Sequence, residues 1–319
     1  MTTPQPDKLK ALNLLVEGIL EQHHRLEKLI QQCRRSIEQL GAVHELSSSR
    51  ESGVYWRLVA FADSLVRLRL FLENNFNYLE TVGVLAVVRY LFELTVWLRL
   101  LQTDSRYGLV YYRELLKKQL DFYTAFRNNA VREISFLQHT GALEQNLIES
   151  RLSEAMRIPD EETRKAALRQ LNDTVTQEID QTAARKFSLY AEQAQTNGYE
   201  FQAHLVETKV LPEYFKIITD LEQKLSDFER NTPSDIRSLI PKRWNWKDQA
   251  KLVDMKDEYD FIYAFASRLL HATPASLTTN QKNLEPDEMR VFLRYIRVRL
   301  LDAIEMAEKL LTTDSSVTL

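Results

Sequence analysis

Cysteine occurs once in 319 residues, at Cys33. An internal disulfide and a cysteine-based zinc site are therefore excluded, and the usage fits a reducing cytosol and equally many periplasmic proteins. Glycine is scarce too, with seven residues that never fall closer than twelve positions apart. Glycines so spaced cannot build a Walker loop or a dinucleotide fingerprint. The eight prolines sit at the ends of periodic segments, and no sustained alternation of β-branched residues occurs, which argues against a sheet. A formal charge of −3 gives no global attraction to nucleic acid, so such binding would need a local basic patch. The start, Met1-Thr-Thr-Pro-Gln-Pro-Asp, carries no basic head ahead of an apolar core, so no secretion signal is expected and the expected compartment is the cytoplasm.

What is present in quantity is apolar residues at helical spacing, 44% of the chain, enough to bury a sizeable core. The periodicity predicts an all-α helical bundle with a central apolar helix and a projecting helical arm. Leu9 to about Leu40 reads as one long amphipathic helix, and 1–50 as an N-terminal helical segment ending in the polar stretch Glu45 to Gly53. Residues 51–140 and 201–319 form the expected core bundle. Within it, Tyr107 to about Gln138 is predicted helical and stops near Gly141, and a last helix opens at Pro286. The polar stretch 141–200 is the expected arm, with Asp160 as the cap of a helix start.

One segment, Val82 to Leu101, is nearly long and apolar enough to span a bilayer, but Arg89, Glu93 and Arg99 interrupt it. Charges in mid-span are costly in lipid, so the segment is expected at the centre of the bundle and no membrane contact is predicted. Arg89 and Glu93 are four residues apart and share a helix face. Their apolar surround implies partial burial, and a charge removed from water must be paired. On that reasoning, deleting Glu93 alone is expected to cost about 3 kcal/mol.

The second concentration of polar groups lies far along the chain, in Tyr259-Asp-Phe-Ile-Tyr263 to Ser267 and His271-Ala-Thr-Pro274. His271 can exchange a proton near neutral pH, and Ser267 lies one turn before it. Together with Arg89 and Glu93 these residues make one candidate polar site: Arg89, Glu93 and His271 as its chemical core, Tyr263 and Ser267 beside them. On the last helix Arg290, Arg294 and Arg297 form a stripe at helical spacing that offers a phosphate-binding or partner-binding face. Glu21-Gln-His-His24 has the ligand spacing of helical di-iron sites, but such sites need a second copy and none is found, so neither a metal nor a cofactor is predicted.

The set Arg89-Tyr-Leu-Phe-Glu93 with Tyr259-x-x-x-Tyr263-x-x-x-Ser267-x-x-x-His271, preceded by Trp246-Lys-Asp-Gln-Ala-Lys-Leu-Val253, resembles an uncharacterised bacterial all-helical family over roughly residues 55 to 310. The helical layout of that family is similar to HEPN-type proteins, many of which are metal-independent ribonucleases of prokaryotic conflict systems. HEPN nucleases place an Arg and a His about four to six intervening residues apart on one helix. Arg268 and His271 have two between them, while Arg132 to His139 has the separation but lacks the usual polar neighbour unless Glu133 supplies it.

The resemblance implies an interaction or sensor component of a prokaryotic stress or phage-defence system, with a protein partner or a second copy. The alternative is a ribonuclease in which His271 moves the proton, Arg89 steadies the phosphorane charge and Glu93 orients one of them.

Overall fold

The computed structural model describes residues 6–41, 50–76, 79–270 and 283–314, and among them there is no strand. The chain is an all-α helical protein that divides into two compact units, one of residues 1–114 with 228–319 and one of residues 115–227.

The first unit contains α1 (Pro6–Leu20), α2 (His23–Leu40), α3 (Arg50–Asn74), α4 (Thr81–Thr103) and the start of α5 (Tyr107–Ala155). After the second unit come the end of α9 (Leu211–Asn231), α10 (Ser234–Arg237), α11 (Trp246–Leu252), α12 (Lys256–Glu258), a π-helical turn at Tyr259–Tyr263, α13 (Ala264–Leu270) and α14 (Pro286–Asp314). Helix α4 is the centre, packed against α3, α11, α13, α14 and the π turn. Its apolar composition follows from that position, because Val84, Leu85, Val88, Leu91, Phe92, Val96, Leu98 and Leu101 all lie in the core. By length and apolarity it is the one described helix able to cross a membrane, yet over half of its most apolar window is buried against protein. Glu80 starts it by accepting hydrogen bonds from the backbone of Val82 and Gly83 at 2.8 and 2.9 Å.

The single helix expected over Leu9–Leu40 is two helices. At Glu21–Gln22 the chain tightens, the Gln22 N–H bonding to the Ile19 carbonyl at 3.2 Å, with neither proline nor glycine at the break itself. The break lets α1 lie on α14 while α2 lies on α3, so that Leu12 and Ile19 on one segment and Leu26, Ile30 and Cys33 on the other reach the same core.

Helices α3 and α5 touch through glycine. A Cβ on Gly108 would overlap the Gly53 carbonyl oxygen and stand 2.9 Å from its carbon, so only hydrogen fits there.

The second unit holds the rest of α5, α6 (Glu161–Ala183), α7 (Ala191–Asn197), α8 (Tyr199–Leu205), a π turn at Val206–Val210 and most of α9. Despite its polar sequence it has its own core, built on Ala130, Ile134, Leu137, Val175, Ile179, Tyr199 and Val206. Asp160 caps α6 by accepting from the Thr163 N–H at 2.8 Å. Pro212 has no N–H to return to the carbonyl one turn back, and the turn before it widens to π, the Leu211 N–H reaching back to Val206.

Gly141, where a helix end was expected, lies inside α5. A side chain there would come within 2.7 Å of the Glu200 Cγ and 3.3 Å of its backbone nitrogen, so this glycine serves the close approach of α8.

Candidate functional site

Arg89 and Glu93 lie on the face of α4 turned toward the π turn, which runs antiparallel to α4. The register is set by two contacts ten residues apart on each of the two segments: Arg89 with Tyr263 and Arg99 with the Val253 carbonyl. The Arg89 guanidinium donates to the Tyr263 hydroxyl at 2.7 Å and stacks on the same ring, 4.4 Å from its centroid. Its Nε donates to the Glu93 carboxylate at 3.4 Å.

The two charged side chains keep 27% and 25% of their surface, so both are partly buried. Burial pushes the Glu93 carboxyl above its ordinary range, against the opposing pull of Arg89. Desolvation thus outweighs the ion pair at this carboxylate.

The π turn gives Tyr263 its place. With Tyr259 it forms a stacked pair, ring centroids 4.8 Å apart and planes 20° from parallel, and Tyr259 in turn meets Phe92 of α4 at 6.0 Å. Wider turns of this kind recur at functional sites because they re-aim side chains without ending a helix. Ser267 follows on α13, half-buried, with no hydrogen-bond partner among the described residues. His271 lies outside the described residues. The site brings together Arg89, Glu93 and Tyr263, supported by Tyr259 and Phe92.

Residues 27–290 match the model of the family of unknown function DUF5677. The chain belongs to that family. No curated protein and no solved structure matches it. The matched span includes both α4 and the π turn, so the Arg89–Tyr263 link falls wholly within the family region.

Two helical turns further along α4 lies a second polar cluster that the sequence reading did not assemble. Arg99 faces Asp302 at 3.7 Å, and Asp302 pairs with Arg299 at 2.9 Å. Arg299, whose side chain is only 13% exposed, also approaches Glu258 at 3.7 Å. Glu258 accepts from the Tyr295 hydroxyl at 3.1 Å. Burial and the Glu258 charge push the Tyr295 phenol well above its usual range. A partly buried network of this kind ties the helix pair α4 and α14 to the turn before Tyr259 and specifies their register. The signal that could have revealed it is Arg99 itself, a cation in the middle of an apolar run.

Arg290, Arg294 and Arg297 are exposed on α14 and form no ion pair among the described residues. Arg297 lies along α1, where a Cβ on Gly18 would stand 3.4 Å from its Cζ. Arg132 and His139 are both exposed on α5, two turns apart. Glu133 between them is buried at 4% exposure and accepts hydrogen bonds from the Ser188 hydroxyl at 2.5 Å and the Leu189 N–H at 3.0 Å. Its place in the motif is thereby explained by folding of the second unit. His23, from the di-iron-like spacing, pairs with Glu73 at 3.0 Å.

Proposed function

We propose that this protein works by binding rather than by catalysis, as an interaction or sensor component of a prokaryotic stress or phage-defence system in the cytoplasm. The observation that carries the binding reading is the state of Arg89. Its Nε is held by Glu93 at 3.4 Å and a terminal N–H by the Tyr263 hydroxyl at 2.7 Å, while the guanidinium stacks on the Tyr263 ring, so the contacts of this cation join two helical segments. A cluster so arranged clamps the π turn to α4. The pathway assignment rests on the resemblance of the helical layout to HEPN-type proteins. The partner-facing surface in this reading is the exposed arginine row of α14, which forms no ion pair among the described residues. The partner is a protein with an acidic face or a second copy of the chain.

The test is made on the full chain in chelator. Fluorescent single-stranded RNA should stay intact, while the self-association measured by light scattering, or co-purification with a protein encoded beside it, should be lost when Arg290, Arg294 and Arg297 are changed to Glu. Metal-independent RNA cleavage that disappears in His271→Ala would replace this reading by the ribonuclease one.

A further inference from the structure

On the side of α4 away from the π turn, residues Tyr90, Leu94, Trp97 and Leu101 recur at helical spacing and face α3 and the start of α5. Between these three helices lies a groove of about 630 Å³, within the size range of small-molecule sites. Three aromatic side chains line it: Tyr90, which is 37% exposed, Trp97 and Tyr111. The rings are held in place from behind. Trp97 stacks on Trp244 at 4.0 Å and meets Tyr111 edge to face at 5.5 Å, and Phe71 holds Tyr90 at 4.8 Å.

Two charged groups stand at the rim, Asp63 and Arg67, one turn apart on α3. They form no ion pair with each other, and Asp63 has no hydrogen-bond partner among the described residues. Among the described residues the Tyr90 and Tyr111 hydroxyls have none either. The neighbouring Ser64 hydroxyl is committed to the Ala60 carbonyl at 2.6 Å. Burial raises the Asp63 carboxyl despite the charges of Arg34 and Arg67, and burial likewise raises both phenols, that of Tyr111 to about 12, with the Asp63 charge adding to the effect. All three residues line the same groove. Asp63 is exposed and water serves its carboxylate, so it stands as an accessible acceptor beside the aromatic rings.

A flat group that offers two adjacent N–H donors satisfies such a carboxylate and covers aromatic rings at the same time. Two chemical classes do this: a guanidinium, and a nitrogen heterocycle with a ring N–H beside an amino group, as in guanine. The charges decide between them. Arg34 and Arg67 beside Asp63 repel a guanidinium and attract a phosphate.

We propose that this groove binds a guanine-type heterocycle carried on a phosphate, with Asp63 accepting the two adjacent donors, Tyr90 and Trp97 covering the ring, and Arg67 holding the phosphate. The inference stands on the groove alone and does not require the partner-binding proposal. It assigns the chain a small-molecule ligand, and with it a means by which such a protein could report the nucleotide state of a cell.

The experiment is calorimetric titration of the full chain with GMP, AMP, guanosine and N-acetyl-arginine amide. GMP should bind roughly tenfold or more tightly than AMP, the discrimination of one bidentate pair. Asp63→Asn should abolish that preference, and Arg67→Ala should weaken GMP while leaving guanosine unchanged. Both residues are exposed, so thermal melts of these variants should match the parent and show that the fold is kept. Absence of GMP binding at millimolar concentration, equal binding of GMP and AMP, an unaltered preference in Asp63→Asn, or tighter binding of the arginine derivative would each overturn the proposal.

Discussion

Replacing Arg89 and replacing Glu93 should have unequal costs, although the two form one ion pair. Arg89→Met removes a charged hydrogen bond to Tyr263 at 2.7 Å and a ring contact at 4.4 Å. Such a bond is worth about 1.5–3 kcal/mol and the ring contact about 0.5–1 kcal/mol, part of which the methionine recovers by packing. The net loss should be about 2–3 kcal/mol. Glu93→Gln keeps an acceptor near Arg89 and removes a charge that its surroundings disfavour.

The sign follows from linkage. The folded Glu93 carboxyl titrates above its ordinary value because of burial. Below that ordinary value it is protonated in folded and unfolded chains alike, and wild type should match the glutamine variant. As pH rises through the folded value, the native state must give up a proton that it holds more tightly than the unfolded chain does, so wild type loses stability relative to the variant. At about pH 7 the glutamine variant should therefore equal or exceed wild type, and at about pH 4 the two should coincide. Glu93→Ala, which also loses packing, should cost about 1 kcal/mol. The about 3 kcal/mol expected for a fully buried pair does not apply, because a quarter of each side chain is exposed and Tyr263 still holds the cation.

Urea melts followed by tryptophan fluorescence suit the measurement. All four tryptophans, Trp56, Trp97, Trp244 and Trp246, belong to the first unit, so the signal reports that unit alone. Glu93→Gln as damaging as Arg89→Met at neutral pH, or a pH trend of the opposite sign, would refute the reasoning.

Gly108→Ala should destabilise the first unit by about 2–3 kcal/mol, because the new methyl meets the Gly53 backbone rather than a movable side chain, and Gly53→Ala, with 3.4 Å to its nearest neighbour, should cost far less in the same melts. Glu133→Ala should cost about 2 kcal/mol by stranding the Ser188 hydroxyl and the Leu189 N–H. That loss should appear in far-ultraviolet dichroism and leave the tryptophan transition in place. Cys33, buried and with its thiol pushed up to about 11, should be alkylated in the native chain roughly a hundredfold more slowly than in urea-unfolded chain at mildly alkaline pH. Equal rates would show that the α2 core opens freely.

The sequence by itself determined what depends on neighbours along the chain. The scarcity of glycine, the helical period of the apolar residues, the cap at Asp160 and the proline opening α14 at Pro286 act within one or two turns, and each is present where the local pattern places it. The charges of α4 also marked Arg89 and Glu93 as needing partners, since their apolar surround left little water to serve them. Only the tertiary structure decided who those partners are. Tyr263 reaches Arg89 from 174 residues away because the π turn runs antiparallel to α4, and the same register delivers the Val253 carbonyl to Arg99.

Long-range packing also overrode local signals. Gly141 reads as a helix end, yet α5 continues through it because α8 must come close, and the helix over Leu9–Leu40 divides at an unmarked position because its two halves pack on different neighbours. Local hydrogen bonding and side-chain period fix a helix one turn at a time, whereas the meeting of two helices depends on the shapes and charges of both faces, which no single stretch of sequence contains.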